Sequence, residues 1–166
     1  MEQSTISLTV SIVALIVALA SLLKPSKAEK KTAAELFNSI PLQLQAYERL
    51  VLLTERISLP NLISRITQPN LSAKEMQVYL IETIKQEFEY NVSQQIYVSP
   101  IAWEAVRNLR DQNMLIINQI ANLLPAEAPG NELAKKVLEV IMQQQDAALH
   151  TIVLNAVNFE AQKLMQ

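Results

Sequence analysis

The single histidine, His150, follows Asp146 by four residues, a spacing that puts both on one face of a helix. A carboxylate beside an imidazole can hold a metal or move a proton. Two ligands on one helix leave such a site incomplete, and the sequence has no second His to complete it. A hydrogen-bonded or exposed His150 is therefore the expectation. Glu82, Glu87, Glu89 and Glu104 raise the question of a carboxylate site. Metal sites in helical bundles draw on Glu-x-x-His motifs from facing helices, and no Glu-x-x-His occurs here. Glu82, Glu87 and Glu89 also fall off the apolar stripe Met76, Leu80, Ile84, Phe88, which places them on a solvated face. Tyr47, Tyr79, Tyr90, Tyr97 and Trp103 are scattered without basic interleaving, which suits a core and not a base-stacking surface. No catalytic residues, no cofactor and no metal are therefore assigned, and the chain is read as non-enzymatic.

Composition narrows the chemistry further. Gly occurs once, at Gly130. Phosphate loops, dinucleotide fingerprints and nucleophile elbows need Gly for close backbone approach or positive φ, so none can be built in standard form. Scarce Gly also means few hairpin turns and argues against an all-β fold. The absence of Cys excludes disulfides and thiolate chemistry. The net charge of −2 divides unevenly: Glu2 contributes −1, residues 24–31 contribute +3 and residues 32–166 contribute −4. The body lacks the clustered basic charge that nucleic acid requires, so no nucleic-acid partner is expected.

The element that must position everything else is residues 5–23, TISLTVSIVALIVALASLL, which hold no charge, Pro or Gly. A membrane-spanning helix takes about 20 mostly apolar residues. Eleven of these nineteen are Leu, Ile or Val, each favouring insertion by about 0.3–0.6 kcal/mol. A buried core helix is seldom apolar on all sides over this length. A cleaved signal peptide would want a positive n-region, whereas Met1-Glu2-Gln3-Ser4 has none, although Ala18-Leu19-Ala20 has the small-x-small form of a cleavage site. After the span come Lys24, Lys27, Lys30 and Lys31, opposed only by Glu29. Positive flanks stay in the cytoplasm. The expected topology is a single-pass protein of the cell membrane with its N-terminus outside and its C-terminal domain cytoplasmic. The lysines set topology and lie at the level of the lipid headgroups. Ser7, Ser11, Ala14, Ala18 and Ser21 are spaced to line one helix face. Small residues let membrane helices approach closely, which makes this a candidate packing face, although Ala and Ser are also simply common in such helices.

Three regions follow: an anchor over 1–24, a Lys-rich linker over 25–40 and a helical body over 41–166. In the body, Leu44, Tyr47, Leu50, Val51 and Ile57 have helical spacing, which predicts a helix over 41–58. Leu59-Pro60 breaks it, and a short helix over 60–66 follows. Ser72 with Glu75 three residues later is a capping box opening a helix over 73–91. Residues 92–99 read as an ordered loop packed on the body. Ser99-Pro100 caps a helix over 100–124, whose core stripe includes Val106, Leu109, Asn113, Ile117 and Ile120. PAEAPGN (125–131) is a clear break, with Asn131 as cap of a last helix that can run to the C-terminus. At about 1.5 Å per residue that helix would be roughly 50 Å long. Either it kinks near Gln143-Gln144-Gln145, or one end overhangs with Val157, Leu164 and Met165 as a contact surface.

The segments QAYERLVLLTERISLPNLISRI (45–66), EFEYNVSQQIYVS (87–99) and AWE (102–104) resemble a family of short bacterial proteins of unknown function. The resemblance covers most of residues 41–124. It implies one N-terminal membrane helix, a Lys-rich linker and an all-helical body, and it implies no activity and no functional residues.

The expected fold class is all-α: a transmembrane helix followed by an antiparallel bundle of four main helices and one short one. The expected function is a membrane-anchored scaffold or adaptor that works through protein–protein contacts. The alternatives are a structural or regulatory subunit of a larger membrane complex, and an enzyme with dispersed acidic and polar residues. The expected partners are membrane lipid, an unnamed protein and a second copy of the chain.

Overall fold

Tyr47, Leu50, Leu53, Thr54 and Ile57 recur at three- and four-residue steps and are buried together on one face of α1 (Ile40–Ile57). Pro41 falls in the first turn, where its missing N–H leaves nothing unpaired. The computed structural model describes residues 39–66, 70–143 and 147–166. Among them every regular element is helical, and no helix is long and apolar enough to cross a membrane. The apolar run 5–23, its Ser/Ala face and the four lysines after it lie outside the described residues, as does Asp146.

α1 gives way at Ser58 to α2 (Leu59–Ile66), which buries Leu59, Leu62, Ile63 and Ile66. The junction is a kink and not a separation. The Leu62 N–H still donates to the Ser58 carbonyl at 2.8 Å, while Pro60 sits in the first turn of α2. The Glu55 carbonyl, orphaned by the kink, accepts from Ser58 Oγ at 3.0 Å and Asn61 Nδ2 at 3.1 Å.

Asn70 turns the chain at φ 80°, a left-handed geometry that Asn tolerates. α3 (Ala73–Asn91) opens with the capping box the sequence predicts: Ser72 Oγ accepts from the Glu75 N–H, and Glu75 accepts from the Ser72 N–H. Residues 92–96 are not a loop but a short 3₁₀ segment (Val92–Ile96), after which Ser99 caps α4 (Pro100–Ala121). α4 stops three residues before Leu124, because the turn tightens there: Leu123 and Leu124 donate to carbonyls three residues back.

Gly130 is needed for close approach, not for positive φ. Its N–H donates to the Leu71 carbonyl at 2.7 Å, and an added Cβ would lie 2.9 Å from that oxygen and 3.1 Å from Met76 Cβ. The starts of α3 and of α5 (Gly130–Gln143) are thus clamped backbone to backbone, with Ala73 donating to the Ala128 carbonyl. Asn131 lies inside α5 and not at its cap. Gly130→Ala is expected to reduce stability by about 1–2 kcal/mol because neither the carbonyl nor the Met76 backbone can retreat freely; thermal unfolding checks this.

Two stretches of the expected last helix are described, and residues 144–146 between them, where the sequence places a kink, lie outside the described residues. α5 ends at Gln143 and α6 (Ala147–Lys163) begins four residues later, so the bundle has five longer helices and one short one among the described residues. α5 buries Leu133, Val137 and Ile141 in contact with α3 and α4, whereas α6 buries Val153 and Val157 in contact with α1 and α4. Val157 is accordingly a core residue and not part of an overhanging surface. The residues from Ile40 to Gln166 share one core in one compact unit.

Candidate functional site

The kink between α1 and α2 opens a cavity of about 310 Å³ against α4, α5 and α6. Its walls are Leu59, Leu109, Ile116 and Ile141; its polar groups come from Glu55, Asn61, Asn113 and His150. Asn113 is buried and donates from Nδ2 to the Ile57 carbonyl at 2.8 Å, closing the C-terminus of α1. His150 Nε2 is buried without a hydrogen-bond partner, 3.5 Å from Glu55 Oε2. The carboxylate that meets His150 therefore comes from α1, across the helix interface. Pairing by helical spacing on one strand of sequence could not find it. One imidazole and one carboxylate make a polar corner in an apolar wall. Among the described residues no cluster of three or more His, Asp or Glu could hold a metal.

The other acidic candidates do not converge. Glu82 pairs with Lys85 and Glu104 with Arg107, both within a single helix and both exposed. Glu87 departs from expectation: it is not a solvated side chain but sits half-buried, accepting from Arg56 Nε at 2.7 Å, with Arg65 3.6 Å away. The Arg56 hydrogen bonds hold its carboxyl below the usual carboxylate range, against the opposing effect of burial. A depressed pKa contributes stability above the unfolded-state value of about 4.3, and that contribution is lost as pH falls through the lower folded value. Glu87→Gln is expected to lower stability by about 1 kcal/mol near neutral pH and by much less in acid, so urea unfolding at about pH 7 and about pH 3 should show the variant and parent converging.

Tyr47 of α1 and Ser99 at the cap of α4 meet at Glu160 on α6. Tyr47 Oη donates to Glu160 Oε2 at 2.7 Å and accepts the Ser99 N–H at 3.0 Å. Ser99 Oγ donates to the same carboxylate oxygen and accepts the Ala102 N–H, which caps α4. Burial, and next the Glu160 hydrogen bond, raise the Tyr47 phenol above its ordinary value, keeping it a donor. This is a structural clasp: both hydroxyls and Glu160 Oε2 already have partners in the fold.

Asn91, which opens the triplet Asn91-Val92-Ser93 of glycosylation-acceptor form, is buried and donates to the Glu87 carbonyl, which ties it to the helix and away from modification.

A second concavity of about 500 Å³ runs between α1 and α3, lined by Arg49, Leu52, Leu53, Arg56, Gln86 and Tyr90 among others. Leu52 and Tyr90 are exposed there, and the Arg49 guanidinium lies 5.8 Å from the centre of the Tyr90 ring. It is an apolar-floored groove with Arg49 on one edge and the Arg56–Glu87 pair on its wall, a geometry that only the packing of two helices reveals.

The sequence model of a family of unknown function, DUF7935, matches residues 2–164. No curated protein and no solved structure matches the chain.

Proposed function

The chain belongs to this family of unknown function, and from that premise we propose that it is a bacterial, single-pass membrane-anchored adaptor that acts without catalysis. Residues 5–23 hold it in the cell membrane, the positive flank at Lys24, Lys27, Lys30 and Lys31 keeps the body in the cytoplasm, and the body recruits a protein partner. The observation that carries the reading is the groove between α1 and α3. Leu52 and Tyr90 offer exposed apolar surface beside Arg49, which suits the apolar face of an amphipathic helix with an acidic residue placed to meet Arg49. The cavity at His150 supports no stronger claim, because a lone imidazole–carboxylate contact gives binding polarity and no nucleophile or metal.

A second reading, a subunit of a larger membrane complex, is favoured by the face Ser7, Ser11, Ala14, Ala18, Ser21. Crosslinking and recovery of the full-length protein from its native membrane separates the two. The adaptor reading predicts a recovered partner that Leu52→Glu loses and that Ser11→Leu with Ala14→Leu keeps. The reverse pattern supports the complex, and recovery indifferent to both removes both. Deleting residues 5–23 is expected to move the protein out of the membrane fraction; continued membrane residence would defeat the anchor.

A further inference from the structure

The Glu160 clasp also shows which ends of the helices gather. Because Tyr47, two turns into α1, meets both the cap of α4 and the last turns of α6, one end of the body holds the start of α1, the 3₁₀ segment, the start of α4 and the end of α6. This end carries six exposed large apolar side chains. Ile40, Leu42, Ile96, Tyr97, Ile101 and Met165 are all exposed there, Ile96 at 73% and Ile101 at 75%. They sit on the first turns of α1 and α4, on the 3₁₀ segment and the residue after it, and just past the end of α6, and together they form an apolar patch.

The same end is where the chain enters the body. α1 starts at Ile40, immediately after the Lys-rich linker. Residues 24–39 span at most about 55 Å even when fully extended. A tether of that reach keeps the apolar end at high effective concentration against whatever surface lies at the base of the anchor. Tyr and Ile together suit the boundary between headgroups and acyl chains, where an amphipathic ring can keep its hydroxyl wet and an aliphatic side chain can leave water. We infer that this end of the body rests on the bilayer surface. The inference depends on the membrane anchor proposed above. It gives the body an orientation: the α1–α3 groove faces sideways, parallel to the membrane, instead of being turned toward it.

The chain has no Cys, so single reporters can be placed without removing native thiols. Full-length Ile96→Cys and Ile101→Cys proteins carry an environment-sensitive fluorophore in phosphatidylcholine vesicles, with Leu123→Cys as control. Leu123 is equally exposed, at 77%, but lies at the far end of α4, about 33 Å away along the helix axis. An Ile12→Cys label reports the anchor. Quenching by doxyl-labelled lipid is expected to be at least about twofold stronger at 96 and 101 than at 123, with iodide in the water showing the opposite order. If the label at 12 is lipid-quenched while those at 96 and 101 respond only to iodide, the anchor stands and the resting surface is refuted. If 96 and 101 are shielded from both quenchers, protein covers this end, which also refutes contact with lipid. If the label at 12 is not lipid-quenched, the anchor reading fails first. Repeating the measurement with phosphatidylglycerol added separates apolar contact, which is unchanged, from attraction of the nearby lysines to anionic lipid. Labelled proteins melting within about 3 °C of the parent exclude misfolding as the cause.

Discussion

Glu160→Ala is expected to destabilise the body by about 3 kcal/mol, the largest loss from any single polar substitution in it. The carboxylate accepts from Tyr47 and from Ser99 at the meeting point of three elements. Its removal leaves a part-buried phenol and a part-buried hydroxyl without their acceptor, and the penalty for such groups exceeds the modest net worth of the bonds themselves. Tyr47→Phe should be milder, about 1 kcal/mol, since the ring stays in the core and only the hydroxyl is lost. The two substitutions touch one network, so their effects should not add. A double-mutant cycle by urea unfolding is expected to return a coupling of about 1–2 kcal/mol. Additive losses would show that Glu160 acts through the helix to which it belongs and not through Tyr47. Weakening this clasp should also loosen α6 selectively, seen as faster amide exchange in residues 153–163 than in α3.

Asn113→Leu is expected to destabilise by about 2–3 kcal/mol, although it exchanges a buried polar side chain for an apolar one of similar size in an apolar wall. The naive expectation is a gain in burial. The structure reverses the sign because Asn113 Nδ2 donates to the Ile57 carbonyl at the end of α1. That carbonyl has no partner within its own helix beyond the kink, and a Leu would leave it buried and unpaired. Asn113→Asp tests the same point: a carboxylate cannot donate there and would face the carbonyl oxygen, so it should be at least as damaging as Leu. Equal stability of either variant and the parent would mean that water replaces the donor through the adjoining cavity. Measuring the unfolding midpoint with and without a filled wall, as in Asn113→Leu combined with Leu109→Ala, separates hydrogen-bond loss from packing.

These two residues illustrate why the reading of the chain divides as it does. Asn113 is visible in the sequence as a polar residue on a core stripe, yet its partner is 56 positions away. Glu160 has no local signal at all, and its partners are 113 and 61 positions away. Glu55 and His150 are likewise brought together by packing, as are Arg56 and Glu87. Side-chain spacing predicts what shares a helix face. It carries no information on which faces meet, because that depends on the angles and offsets at which whole helices pack.

The sequence by itself determined the helical class, the capping box at Ser72, the Pro-led start at Ser99-Pro100 and the buried stripe Met76–Leu80–Ile84–Phe88. All of these are set within a turn or two of chain, by hydrogen bonds to the nearest backbone groups and by the 3.6-residue period. Only the tertiary structure decided that Glu87 is paired and half-buried, that Gly130 is required by the Leu71 carbonyl, and that six exposed apolar side chains share the end where the chain enters the body. Each of these depends on a contact between residues far apart in the chain, and such contacts are fixed by the volume and length that the helices must share.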